Sequence, residues 1–297
     1  MIRTMSSRVS IVKSQDHAFG TLQALKLLEG QFPRHVEKVL IKPNFVSALN
    51  RFSGTHVDCV AGILRYLEED VGPKEVMISE SPAVGSFEQA LRNYEYGKLK
   101  AEFPNVELVD LGSLEYRDVE LTDDDGNTFS VPVASVTLDR SVLKISPVPP
   151  KTHDTVVVTL SVKNLVMGSI MRGYRRSMHR GYLAINRNIA KLFTMMGPCC
   201  GVVDGIDGME GDGPVFGVSK KWGYVFASCN CVALDRLVSS AMGFNPDDVG
   251  YLYFLRDIAG EVSLVGEPPS SFATRFVPHT TYAEQLSWKE GLGKIGK

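Results

Sequence analysis

The chain has 297 residues, of which 44% are hydrophobic and 22% charged, with a formal net charge of -2. Such a length can bury a sizeable core in one large or two modest domains, and the near-neutral balance argues against a general nucleic-acid or membrane-surface role for the whole molecule. No stretch approaches the roughly 20 apolar residues of a spanning helix, and Met1–Ser10 lacks the apolar centre of a signal peptide, so a cytoplasmic location is expected.

Val9–Val12 reads as a strand and Ala18–Leu28 as a helix. Lys38–Ile41 is a second strand, which Pro43 brings to a stop because it cannot donate to a ladder. Thr55 has the type and place of an N-cap, with Asp58 three residues on and apolar spacing through Val57, Val60, Ile63, Leu64 and Leu67. Glu75–Ile78 and Val106–Val109 are further strands, separated by a helix over Phe87–Phe103. Alternating strands and helices, with strands apolar on both faces, predict a mostly parallel sheet flanked by helices. The pattern changes near Glu115: Arg117–Leu121 and Thr128–Val133 flank Asp123-Asp124-Asp125-Gly126, a turn signal that predicts a β-hairpin insertion over 115–135. Val142–Ile145 and Val156–Leu160 resume the buried-strand signature, and Tyr182–Phe193 is helical. Strands near Gly201–Val203 and Tyr224–Ala227 precede a helix from about Val232 to Met242. The class is α/β with the hairpin insertion and an extra lobe: one domain over 1–260, then a Pro- and Ser-rich extension over 261–297 without strong periodicity.

Ligands of open α/β sheets bind beyond the carboxyl ends of the strands, and unusual polar residues fall at such ends. Lys42 and Asn44 follow the second strand, Ser79-Glu80-Ser81 the third, and Asp204 the strand Gly201–Val203. Lys163 and Asn164 follow Val156–Leu160, while Lys151-Thr152-His153 precede it on a loop that would have to fold across the rim. An ammonium such as Lys42 is costly in a core, although a snorkelling lysine and a turn-forming asparagine explain this pair equally well. His153 and His179 can move protons near neutral pH, and Lys163 adds a third titratable group.

From Thr155 to Val203 there is no Asp or Glu. The same stretch carries Arg172, Arg175, Arg176 and Arg180, whose guanidinium forks match phosphate or carboxylate. A solvated basic face and a nucleic-acid patch are the alternatives, the latter weakened by sparse aromatic interleaving. Asp204 to Pro214 is a glycine-spaced acidic run without EF-hand spacing. It reads as a loop, with Asp204 and Glu210 as candidate ligands to Mg²⁺ carried on a substrate phosphate, or as acids paired with arginines. Asp235, near a helix start, reads as a cap. The five cysteines, Cys59, Cys199, Cys200, Cys229 and Cys231, have neither a disulfide-framework pattern nor zinc spacing. Dinucleotide, P-loop, esterase and zinc-protease motifs are missing.

The ordered set Lys42-Pro43-Asn44, Thr55, Lys151-Thr152-His153, Lys163-Asn164, His179, Asp204 through Glu210 to Gly213-Pro214 and Ala233-Leu-Asp235 resembles domain-of-unknown-function family 362, over roughly Lys38 to Tyr251. The resemblance implies an intracellular α/β protein and supports the location of a site. Some members carry a fused ferredoxin-like module, which is not expected from these 297 residues, so a cluster of its own is not implied. The expectation is an enzyme acting on a small anionic metabolite, with Lys42, Asn44, Thr55, Lys151, Asn164 and the arginines binding it and His153, His179 and Lys163 handling protons. The alternatives are a redox protein working with a ferredoxin-like partner and a nucleic-acid binding module.

Overall fold

The computed structural model describes residues 7–33 and 35–294, so most of the N-terminal stretch assessed for a leader, Met1–Ser6, lies outside the described residues. The strands are β1 (Ser7–Lys13), β2 (Lys38–Ile41), β3 (Glu75–Glu80), β4 (Val106–Asp110), β5 (Tyr116–Thr122), β6 (Thr128–Ala134), β7 (Val142–Val148), β8 (Lys151–His153), β9 (Val157–Thr159), β10 (Cys199–Glu210), β11 (Val218–Ser228) and β12 (Val262–Gly266). Among the described residues, ten of them form one sheet whose main path runs β12-β1-β11-β10-β7-β2-β3-β4, and β5 and β6 form the separate hairpin. β10, β7, β2, β3 and β4 are mutually parallel. β11 is antiparallel to both neighbours, and β12 runs parallel to β1. The fold is therefore α/β, with a mostly parallel sheet.

Successive residues alternate faces, which gives the sheet two cores. On β11, Val225 and Ala227 pack with the helices His17–Lys26 and Val57–Tyr66 on one side. Tyr224 and Phe226 pack with the helices Tyr182–Met195 and Cys231–Ala241 on the other. The hairpin residues Val119, Leu121, Val131 and Val133 join this second core. The C-terminal segment adds β12 to the sheet edge and buries Trp288.

Several elements depart from the sequence expectation. The helix expected over Phe87–Phe103 is two, Phe87–Asn93 and Gly97–Glu102, broken where Glu95 takes φ 62°. His56, not Thr55, caps Val57–Tyr66, its side chain accepting from Asp58 N. Lys151–His153 is not a loop but strand β8, antiparallel to β9 and beside β10. The acidic run from Asp204 to Glu210 is also strand. Its glycines are there for close packing: a Cβ on Gly205 would lie 2.9 Å from the Trp222 ring and from Tyr224 O, and one on Gly208 2.9 Å from Phe276.

Candidate functional site

Three parallel strands end side by side, and their ends carry charge into the interior. Lys42 N donates the last ladder bond of β2 to Ile145 O, after which Pro43 turns the chain. Lys42 Nζ is fully buried, pairs with Glu80 at the end of β3, and donates to Asn164 Oδ1 at 3.2 Å. Asn164 Oδ1 also accepts from Asn44 Nδ2 at 2.9 Å, and Asn44 Oδ1 accepts from Lys151 Nζ at 2.5 Å. The Lys151 ammonium donates in addition to Ser53 O. Thr55, in place of capping, accepts from Asn44 N and donates to Pro147 O, both at 2.8 Å, fixing the turn to the end of β7. The result is a continuous buried network, Glu80–Lys42–Asn164–Asn44–Lys151, in which the residues singled out from sequence meet.

This network floors a cavity of about 170 Å³ lined by Asn44, Glu80, His153, Thr159, Lys163 and Arg175, with Phe45, Met167 and Pro214 as apolar wall. Lys163 is 9% exposed and has no hydrogen bond or ion pair among the described residues. Thr159 Oγ1 is buried and likewise unpartnered. Arg175 is aimed inward by the carbonyls of Ile170 and Gly168, each 3.0 Å from its guanidinium, which leaves it 3.9 Å from Glu80.

Burial sets the electrostatics here. It lowers the pKa of Lys42 against the pull of Glu80, and that of Lys151 well below the usual lysine value. Lys163 falls to about 8, through burial and the positive fields of Arg175 and Lys42, with Asp154 opposing. Burial and then Lys163 bring His153 to about 3, so its imidazole is neutral. Its Nδ1 lies 3.0 Å from the Thr155 N–H and 2.9 Å from Asp154 Oδ1. Nδ1 is thus engaged on its own side by a donor, the Thr155 N–H, and an acceptor, the Asp154 carboxylate, which holds the ring in place. Crowding by the surrounding chain and Lys163 also lower the pKa of His179, which ends the 3-10 helix Arg172–Met178 on the exposed rim.

The remaining arginines turn elsewhere. Arg172 bonds Gly85 O, Arg180 stacks 4.4 Å above Phe129, and Arg176 is exposed. Asp204 and Glu210 are not brought together. Six residues apart on one strand, they are separated by roughly 20 Å at ~3.3 Å per residue, and Glu210 pairs with Lys220 and accepts from Val277 N. Asp204 opens instead on a second cavity of about 420 Å³ on the same rim, where His17 Nδ1 contacts its Oδ2 at 2.6 Å. There His56 stacks on His17 with ring centroids 3.9 Å apart. Burial lowers the pKa of His17, but the Asp204 hydrogen bond and charge outweigh it and leave the value raised; burial and the neighbouring His17 lower that of His56. The partners in this pair are 187 residues apart, and only the rim position of His17 after β1 hints at it in sequence. Among the described residues, no group of three or more His, Cys, Asp or Glu is arranged to hold a metal ion. Four cysteines gather at the far end of β10, with Cys200 Sγ and Cys229 Sγ 2.9 Å apart. An open groove of about 940 Å³ along the amino ends of β2, β3 and β7 is lined by solvated charges of both signs, such as Lys74, Glu75 and Arg117, interspersed with apolar residues such as Met77 and Leu138.

No helix among the described residues is long and apolar enough to cross a membrane. The chain is 26% identical, over 82% of its length, to a protein of Synechocystis sp. (strain ATCC 27184 / PCC 6803 / Kazusa) named as thylakoid-associated, 76% of which it covers. A crystal structure of a Thermotoga maritima protein superposes on 74% of the chain with a TM-score of 0.41 at 11% identity, and the chain spans 57% of that protein. The model of one family matches residues 39–240, the segment that contains the whole Lys42–Lys163 network, and the chain belongs to that family, the domain of unknown function DUF362.

Proposed function

We propose that the chain is a cytoplasmic enzyme that binds a small phosphate- or carboxylate-bearing metabolite in the cavity beneath Lys163 and acts on it by proton transfer. The observation that carries this reading is a charge imbalance. Lys42, Lys151, Lys163 and Arg175 surround Glu80 and the half-exposed Asp154. An unpaired buried ammonium is unfavourable, and an anion accepting from Lys163, Arg175 and the Thr159 hydroxyl would balance it. The volume suits a ligand of few non-hydrogen atoms, because an engineered cavity of about 150 Å³ holds benzene. His153, neutral near physiological pH, and Lys163, mostly ammonium there but with a free-amine fraction because its pKa is about 8, are the proton carriers, and a divalent ion would arrive with a phosphorylated ligand. The test is thermal unfolding with orthophosphate, sulfate and short carboxylates, each with and without Mg²⁺. A ligand at 100 times its Kd adds about 2.7 kcal/mol, and Lys163→Met should abolish the gain. A flat response across the panel, or an undiminished one in Lys163→Met and Lys42→Met, would refute the reading.

A further inference from the structure

Lys163 is placed to do more than attract charge. Its amine faces the cavity unpartnered, while Lys42 is committed to Glu80 and Asn164 and Arg175 spends only part of its guanidinium on the carbonyls of Gly168 and Ile170. Beside it are an unpartnered hydroxyl on Thr159 and an imidazole on His153 whose Nδ1 is already engaged by the Thr155 N–H and the Asp154 carboxylate. The apolar wall of Phe45, Met167 and Pro214 leaves room for a short alkyl group but not for a long one.

Building on the anion-site reading, we propose that Lys163 is a nucleophile that forms an imine with a small 2-oxo carboxylate. The carboxylate accepts from the guanidinium N–H groups of Arg175 that the carbonyls of Ile170 and Gly168 leave free, which sets the adjacent carbonyl carbon against Nζ. The neutral amine adds to that carbon, forming the C–N bond as the carbonyl π pair moves onto oxygen. The oxygen takes a proton from the Thr159 hydroxyl, which regains one from the nitrogen. The carbinolamine then loses its hydroxyl as water and the C=N bond closes. Amine and ketone become imine and water, with no change of oxidation state. Orthophosphate fits the same charges but has no carbon to attack. A neutral aldehyde would lack the Arg175 contact. An amine at about 8 in place of the ordinary 10.5 is neutral roughly 300-fold more often near neutral pH, so capture should be selective for this position.

The experiment incubates the full chain with pyruvate or glyoxylate in cyanoborohydride, which reduces the imine to a stable secondary amine, and maps the adduct by peptide mass. The expected result is one adduct per chain on Lys163, suppressed by excess acetate and lost in Lys163→Arg and Lys163→Met variants with native circular dichroism. If pyruvate and acetate stabilise the protein equally and no adduct forms at Lys163, the imine is wrong and the anion site stands. If neither stabilises it and no adduct forms, both fall. Adducts scattered over surface lysines, indifferent to acetate and unchanged in either variant, also overturn the proposal.

Discussion

Lys163 lowers stability in proportion to how useful it is as a free amine. Its folded pKa, about 8, lies below the ordinary 10.5, so the folded state disfavours the proton that the unfolded chain keeps. Below about pH 8 both states are protonated and the penalty is complete. Between about 8 and 10.5 the unfolded chain binds more protons, and stability rises with pH. At ~1.4 kcal/mol per unit this amounts to about 3 kcal/mol. Lys163→Met should therefore stabilise the protein at pH 7 by up to about that amount, the difference vanishing towards about pH 10.5. Chemical denaturation of both proteins at several pH values isolates Lys163 from Lys42, Lys144 and Lys151, whose pKa values are also depressed. A Lys163→Met protein less stable than the parent at pH 7 would show that the ammonium has a partner. Lys42, whose pKa burial also lowers, differs in being ion-paired with Glu80. Glu80→Ala should cost about 3–5 kcal/mol, the usual consequence of stranding a buried charge. Gly168→Ala should be damaging too, since its Cβ would fall 2.0 Å from Lys42 Nζ, and both costs can be read from urea midpoints.

The helix Ser161–Ser169 carries Lys163 and Asn164, yet Leu160 at its N-cap has no side chain that can cap it. Asp235, from the helix Cys231–Ala241, does so across the core, accepting from Ser161 N at 3.0 Å and Val162 N at 2.7 Å. Its own helix is capped by Asn230. Burial raises the Asp235 pKa to about 7, against the two N–H donors that favour the carboxylate. Asp235→Ala should destabilise the protein by about 1–3 kcal/mol, because two buried N–H groups lose their acceptor. It should also weaken anion stabilisation, whereas Asp235→Asn, which keeps one acceptor, should do less of both; thermal shifts with and without orthophosphate measure the two effects. The sequence shows Asp235 near a helix start but not which helix it serves. That limit recurs across the elements. Strand–helix alternation from β1 to β4 was legible because period and punctuation are local, and so was Lys42 as a charge out of place in a core, whereas Lys151 and His153 were expected on a loop and lie in strand β8. Lys220 and Lys221 on β11 and the glycines of β10 look like loop, yet the ladder between those strands makes them sheet. The His17–Asp204 contact, the unpartnered Thr159 and the partition of basic and acidic runs between two cavities depend on contacts between distant segments, which no window of sequence contains.

At the level of the molecule, the sheet is shared property. β10 sends Cys200, Val202 and Ile206 to one core and Cys199 and Val203 to the other, and β11 divides Val225 and Ala227 from Tyr224 and Phe226 in the same way. Neither core can melt while leaving those strands intact, because each strand would expose half of its apolar side chains. Both tryptophans report on one side only: Trp222 packs beside Phe226 and Phe276, and Trp288 beside Tyr253 and Phe254. Far-UV circular dichroism reports on every helix and strand. A shared sheet requires the two signals to give a single coincident transition in urea, the standard mark of cooperative unfolding. It also requires an anion bound near Lys163 to move both by the same amount, since ligand binding stabilises the whole cooperative unit. If fluorescence changes before circular dichroism, the side carrying the hairpin and the helix of Lys163 unfolds on its own. The cavity would then be built on the less stable half, and ligand would shift the fluorescence midpoint alone.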